Sequence, residues 1–511
     1  MKKIVLGVIA LSILHSILFY AQDFGVSVVL FTICAMILII YSLTSKNKVK
    51  NSKAFLLSIP ITTISLTYAI FNNIFFNILN VFVIIGLTCI MIIWAICGEF
   101  NIKNIIVNTI LIIFRPFGFV AEAVRVISEN VFKRKQPQNG ESVKEKITET
   151  KVFKQILTGL LISIPLLIII LALLISADTV FAQILEPIRE IIMSIFSFKF
   201  WTSLYFRILV FSCVCIYFMA FICNILKFDT EPNKNIQTKG IRMENITVNT
   251  VLTVLNIVYL LFSIIQFTYL FMQIGAKENL DYAIYARRGF FQLMIVTIIN
   301  FVIILLTNAN KRETTKFVSI YTKIMNLFLI IFTGIMICSS FLRMYLYEQE
   351  YGYTFLRLMV YFILATEFML IIPTIAYIFS KKVKLLKSYI VIISIMYALV
   401  NFTNVDKTIA KKNVDKYITD TKMGSIEMEA EIDFKYLKKL SIDAIPDIIR
   451  LYENTEDVNL KSNIRMYLNK KYNKEVDCAD RSNFQEFNYQ RENAKNKLKI
   501  WHYINIWMAI N

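Results

Sequence analysis

The stretch from Gly25 to Leu43, GVSVVLFTICAMILIIYSL, carries no charge over 19 positions, and Lys46, Lys48 and Lys50 follow it at once. A helix needs about 20 apolar residues to cross the hydrocarbon layer of a bilayer, where only a helix or a closed barrel satisfies its own backbone. Working outward, similar runs lie near Ile4–Ala21, Ala54–Phe71, Phe75–Ile96, Ile156–Ala177, Leu204–Ile225, Thr250–Ile274, Phe290–Leu306, Met325–Leu342, Phe355–Phe379 and Tyr389–Val405. The ten-residue alternating strands of a barrel are absent. The expected fold is all-α: a polytopic transmembrane helix bundle of about 11 spans, followed by a small helical soluble C-terminal domain. The first run, behind Met1-Lys2-Lys3, is long for a signal peptide and lacks a small-residue cleavage site, so an uncleaved first span is expected.

Composition agrees. The 511 residues are 57% hydrophobic and 18% charged, against about 25% charged in soluble domains. The formal charge of +19 does not imply nucleic acid as a partner, because from Asp406 onward the chain has 19 basic and 17 acidic residues. The excess lies in the loops between spans, where topology and anionic lipid headgroups account for it. The N-terminus and alternate loops hold about 28 Lys and Arg; the intervening loops and span ends hold about eight. By the positive-inside rule this puts the N-terminus in the cytoplasm and the C-terminal domain on the other side, as expected in a bacterial plasma membrane. Seven of eight cysteines (Cys34, Cys89, Cys97, Cys213, Cys215, Cys223, Cys338) fall in apolar runs, and only His15 and His502 are histidines. Neither a disulfide framework nor a metal site is expected. No nucleotide loop, dinucleotide turn or serine elbow is present, so no cofactor is expected.

Four regions follow: a four-span region at 1–97, cytoplasmic interfacial helices and a linker at 98–155, a seven-span core at 156–405, and the C-terminal domain at 406–511. Within the second, Arg115-Pro116 interrupts the apolar run Ile105–Phe114 before an amphipathic stretch. That pattern reads as two interfacial helices. Were 105–124 instead to cross the membrane, every later orientation would reverse and the charge rule would break. In the tail, Ser441, Asp443 and Pro446 open a helix through Leu451, and Asp457 caps another bearing Leu460, Ile464 and Leu468 on one face. Trp501, Tyr503, Ile504, Ile506 and Trp507 either complete that small core or return to the membrane surface.

Candidate site residues are polar groups near the outer ends of the later spans. Arg287 and Arg288 stand on the side that disfavours basic residues, where they would pair with Glu348 or Glu350 or hold a lipid headgroup or phosphate-bearing ligand. Arg343, Glu348 and Glu350 alternate with tyrosines ahead of Arg357, and Asp178 ends the fifth span. Asp178, Arg287, Arg288, Arg343, Glu348, Glu350 and Arg357 are expected to converge into one ligand-binding cluster. Deeper in the bilayer stands Glu367, with Gln266 and Asn300 as candidate hydrogen-bond partners. It fits either a neutral helix-packing contact or a proton or ligand site.

Three motifs resemble a bacterial membrane family catalogued as the domain of unknown function numbered 4173, close to the one numbered 4153. They are Tyr285-Ala286-Arg287-Arg288-Gly289-Phe290, Tyr351-Gly352-Tyr353-Thr354, and Asn404-Val405-Asp406 through Asn413. The stretch Leu440-Ser441-Ile442-Asp443-Ala444-Ile445-Pro446 is similar to that family too. The resemblance runs from about Leu160 to Asn511, with the first four spans alike only in layout, and the family more often has Leu where Tyr353 stands. It implies no named activity. Three function classes stay open. A non-enzymatic envelope sensor or scaffold needs only the visible parts. A secondary transporter would use Glu367. A lipid-linked transferase is disfavoured, since the first outer loop offers only Asp23. Protein partners are unknown.

Overall fold

The computed structural model describes residues 1–20, 22–98, 102–131, 204–228, 245–266, 290–309, 315–380, 383–423, 432–477 and 484–510. The span expected at Ile156–Ala177 and the segments bearing Asp178, Arg287, Arg288 and Cys478 lie outside them. Among the described residues every regular element is helical. Nine helices among the described residues are long and apolar enough to cross a membrane, and a tenth span results if the bent pair Leu385–Asn401 and Val405–Thr421 counts as one. The chain is a multi-pass membrane protein.

It divides into two compact units. The first comprises residues 1–58, 85–230 and 483–486. Its helices are α1 (Lys2–Phe19), α2 (Val26–Ser45), the later part of α4 (Ile74–Cys97), α5 (Ile102–Phe114), α6 (Val120–Val131) and α7 (Leu204–Leu226). α7 packs on α1, α2 and α6, and rings of His15, Phe19, Phe31 and Phe218 interlock at centroid distances of 5.1–5.8 Å. Two buried serines inside these apolar helices satisfy their hydroxyls on the preceding turn. Ser12 donates to the Val8 carbonyl at 2.8 Å and Ser42 to Leu38 at 2.7 Å, as a lipid-facing helix requires. α5 and α6 have 13 and 12 residues, each under the length that spans the hydrocarbon layer. Pro116 opens the 3-10 turn between them.

The second unit holds residues 59–84, 231–482 and 487–511. It contains most of α3 (Ser58–Ile70), the start of α4, then α8 (Asn245–Gln266), α9 (Phe290–Ala309), α10 (Lys316–Tyr351), α11 (Phe355–Phe379) and α12 (Leu385–Asn401). α10 is the axis, packing against α8, α9 and α11. Its 36 residues extend about 54 Å at 1.5 Å each. Thr315 caps its N-terminus by accepting from the Val318 N–H at 3.4 Å.

After α12 the chain bends by 55° into α13 (Val405–Met423). Asn404 makes the bend with φ +43°, a conformation Asn tolerates better than most residues, and its Oδ1 accepts from the Lys407 N–H at 3.3 Å. The tail continues with α14 (Ile445–Asn454), α15 (Val458–Tyr472) and α16 (Tyr489–Ile510). Pro446 occupies the first turn of α14, where its missing N–H costs nothing. Asp457 caps α15 by accepting from Asn459 and Leu460 N–H at 2.8 and 3.2 Å. Ile464 and Leu468 are fully buried, and Leu460 packs beside them. Trp501 is buried, whereas Tyr503 and Trp507 are 68% and 67% exposed.

These tail residues do not make a core of their own. Ile409, Val414, Ile448, Leu468, Leu498 and Trp501 belong to one cluster with Phe76 of α4 and Val400 of α12. Phe355, Leu358, Met359 and Phe362 of α11 pack against it. One hydrophobic core runs across residue 406.

Candidate functional site

The turn between α10 and α11 is built by the Tyr351-Gly352-Tyr353-Thr354 motif. Gly352 has φ +72°, and a Cβ there would stand 2.8 Å from Asn413 Oδ1, so both conformation and space call for glycine. Asn413, on α13, takes the Tyr353 N–H on its Oδ1 and gives its Nδ2–H to the Tyr353 carbonyl, each at 2.8 Å. Tyr436 accepts the Phe355 N–H on its hydroxyl at 2.7 Å. Two of the motifs picked out in the sequence therefore meet in a backbone clamp.

The polar residues expected there divide. Arg343 and Glu348 are buried on α10, at 6% and 5% exposure. Tyr353 and Tyr361 lie beside the Glu348 carboxylate. Burial first, and that carboxylate second, push the Tyr353 phenol up to about 12. Arg357 sits 4.3 Å over the Tyr347 ring and donates to the Tyr351 carbonyl at 2.8 Å and to that of Gly352. It thus closes the C-terminus of α10, satisfying carbonyls that have no helical partner. Glu350 stands in the last turn of α10, while Asp178, Arg287 and Arg288 fall outside the described residues.

Within the bundle, a row of hydroxyls and amides links α8, α9, α10 and α11. Thr322 donates to Asn249 Oδ1 at 2.8 Å, Tyr259 to Asn300 Oδ1 at 2.9 Å, and Asn300 Nδ2 to Thr333 at 3.0 Å. Asn300 thereby bonds Tyr259 and Thr333, and the partner of Glu367 is Thr297, one turn earlier, at 2.8 Å. Gln266 ends α8. Glu367 is 3% exposed, and its Oε1 is buried without a hydrogen-bond partner among the described residues. The Thr297 hydroxyl also lies 2.7 Å from the Met294 carbonyl, and its single proton cannot serve both acceptors at once.

A second polar group sits where α3, α4 and α12 meet. Asn80, fully buried, donates to Asn401 at 2.8 Å and Thr67 at 3.2 Å and accepts from Tyr397 at 2.6 Å. Beside it a small cavity is lined by Thr67, Phe71, Asn73, Phe76, Asn77, Asn401, Asn404 and Val405. On the tail side, Asp406 accepts from the Ser441 N–H and Asp443 from the Asn72 N–H, both at 3.1 Å. Burial raises the carboxyl of neighbouring Asp447 above its ordinary range. The sequence reading missed Asn72, Asn80, Thr297 and Asn413 as site residues. For Asn80 a signal existed: Asn73, Asn77 and Asn80 recur every three or four residues along an otherwise apolar helix.

The fold and these buried polar sites define a polytopic, all-helical membrane protein with a packed-on helical tail. Residues 58–451 match the family described as a domain of unknown function (DUF4153), and the chain belongs to that family. The family shown is 4153, the neighbour of the 4173 that the motifs resemble. It begins at residue 58, so it takes in α3 and α4 as well as the later spans. No curated protein and no solved structure matches the chain.

Proposed function

We propose that the protein is a non-enzymatic scaffold or sensor of the bacterial plasma membrane. In this reading the bundle carries the tail as a fixed part of itself, on the side opposite a cytoplasmic N-terminus. The observation that carries it is the single hydrophobic core joining Phe76, Val400 and Phe355 of the span ends to Ile448, Leu468 and Trp501 of the tail. A signal reaching the tail would pass into α11 and α12 through packed side chains, without a flexible linker. Arg287, Arg288, Arg343 and Arg357 are the residues proposed to meet an anionic lipid headgroup or other anionic ligand at that face, with Asp178, Glu348 and Glu350 as their counter-charges.

Cysteine accessibility tests the orientation. In a cysteine-free background on intact cells, an impermeant reagent should label Lys439→Cys and leave Lys46→Cys untouched; the reverse pattern would turn the topology over.

A second reading rests on Glu367, whose Oε1, buried and without a partner among the described residues, is the kind of group a proton-coupled carrier uses. Proteoliposomes with an imposed proton gradient separate the two. A scaffold gives no proton flux above that of empty vesicles, whereas flux abolished by Glu367→Gln would replace this proposal with transport.

A further inference from the structure

The tail grips the turn between α3 and α4 with two side chains. Asn488 donates its Nδ2 protons to the carbonyls of Tyr68 and Phe71, each at 2.8 Å, so it caps carbonyls that α3 leaves open. Asp443, in the 3-10 turn Ile442–Ala444 that leads into α14, accepts the Asn72 N–H on its Oδ2 at 3.1 Å. Asn488 is neutral at any ordinary pH. Asp443 is not.

Asp443 is 1% exposed, and its Oδ1 is buried with no hydrogen-bond partner among the described residues. From α13 it is faced by Asp406, a second buried carboxylate, and by Lys407. The α3–α4 turn meets it with a backbone N–H. On α14, Asp447 follows one turn later, with Lys407, Arg450, Asp415 and Lys411 around it. On α16 the charged residues of the adjoining turns are Arg491, paired with Glu475 at 3.3 Å, Glu492 and Lys495. An ionised Asp443 therefore has one unserved oxygen in a dry place beside a like charge, which is costly. A proton on Oδ1 removes the charge and leaves Oδ2 free to accept from Asn72.

We propose that Asp443 is a proton-operated latch between the tail and the α3–α4 turn, closed when its carboxyl is neutral and eased open when it ionises. Burial first, opposed by the Asn72 bond, and then Asp406 hold the docked carboxyl at about 7, against an ordinary 3.8. A docked state with the raised value binds the proton more tightly than the released state. Its contribution is thus complete below about pH 4 and is lost as pH rises through about 7. The latch stands apart from the scaffold reading, since a carrier would use the same joint.

Hydrogen exchange of the full chain in nanodiscs tests it, read on the backbone amides of residues 71–76 between pH 5 and 8 and corrected for the intrinsic rate. Protection in the wild type should fall by up to about tenfold per pH unit approaching 7. In Asp443→Asn, which cannot ionise, it should stay level. Wild-type protection that is level over this range overturns the latch, and so does a fall that survives in Asp443→Asn. Should that variant not fold, Asp447→Asn decides: it must keep the wild-type fall, and losing it would move the proton to Asp447 and refute the proposal.

Discussion

At the scale of single residues, the clamp and the intramembrane carboxyl make opposite demands. Gly352 is required twice over, by its φ of +72° and by the 2.8 Å from a would-be Cβ to Asn413 Oδ1. Gly352→Ala should therefore lower stability by about 1–3 kcal/mol, read as a drop in the unfolding temperature of the detergent-purified protein. Asn413→Ala removes both bonds to Tyr353 and should cost a similar amount, about 1–3 kcal/mol, for the backbone groups left unsatisfied. The pair shares one contact, so the double variant should fall short of the sum. Thr297→Val, by contrast, keeps the shape and leaves Glu367 with no partner on either oxygen among the described residues. It should destabilise by about 1–3 kcal/mol, while Glu367→Leu, which removes the group that needs a partner, should be milder. If Glu367→Leu proved the more damaging of the two, the carboxyl would be making an attraction beyond the Thr297 bond.

Elements show where sequence reading succeeds and where it stops. Helix positions follow from a local rule, apolar length against bilayer thickness, and so α2, α4, α9 and α11 sit within a few residues of their expected bounds. Caps are local too, which is why Asp457 and Pro446 could be assigned from their neighbours alone. The partners of a buried polar group are not local. Glu367 stood out because a charge in a span is rare, yet choosing Thr297 over Asn300 depends on a single turn of rotation in α9. Arg357 stood out by its charge, yet that charge says nothing about which carbonyls come within reach, and those of Tyr351 and Gly352 at the end of α10 do. The length of α10 leads to a prediction at this scale. Its neighbours α8, α9 and α11 have 22, 20 and 25 residues, so they, rather than α10, must match the hydrocarbon layer. A spin label at exposed Phe317, near the start of α10, should report a more polar surrounding than one at exposed Ile331 in its middle.

For the whole molecule, the shared core makes the tail inseparable from the spans. A chain ending at Met423 would expose Ile409, Ala410 and Val414, all fully buried in the intact protein, and the uncovered face of α13 would invite association. Such a truncation should aggregate or elute as oligomers on size exclusion in detergent, where the intact chain elutes as one species. A monodisperse truncated protein would mean that α13 is covered well enough by the bundle alone. This integration was the least legible feature in the sequence. The tail's balanced charge and polar loops look like those of any soluble domain, and nothing in a one-dimensional pattern says that Phe76 and Trp501 share a core.

The joint also imposes an order on biogenesis. Asn72 and its partner Asp443 are 371 residues apart in the chain, and Asn488 is 420 from Tyr68. At a synthesis rate of about 5–20 residues per second, the end of α3 must wait about 20–80 s inside the bilayer before its cap has been made. Throughout that interval the membrane-inserted chain holds open carbonyls and an unfilled apolar seat around Phe76. A segment made 420 residues after Tyr68 is the one that completes the end of α3, and a stalled or clipped chain would be recognisable to quality control by that vacancy.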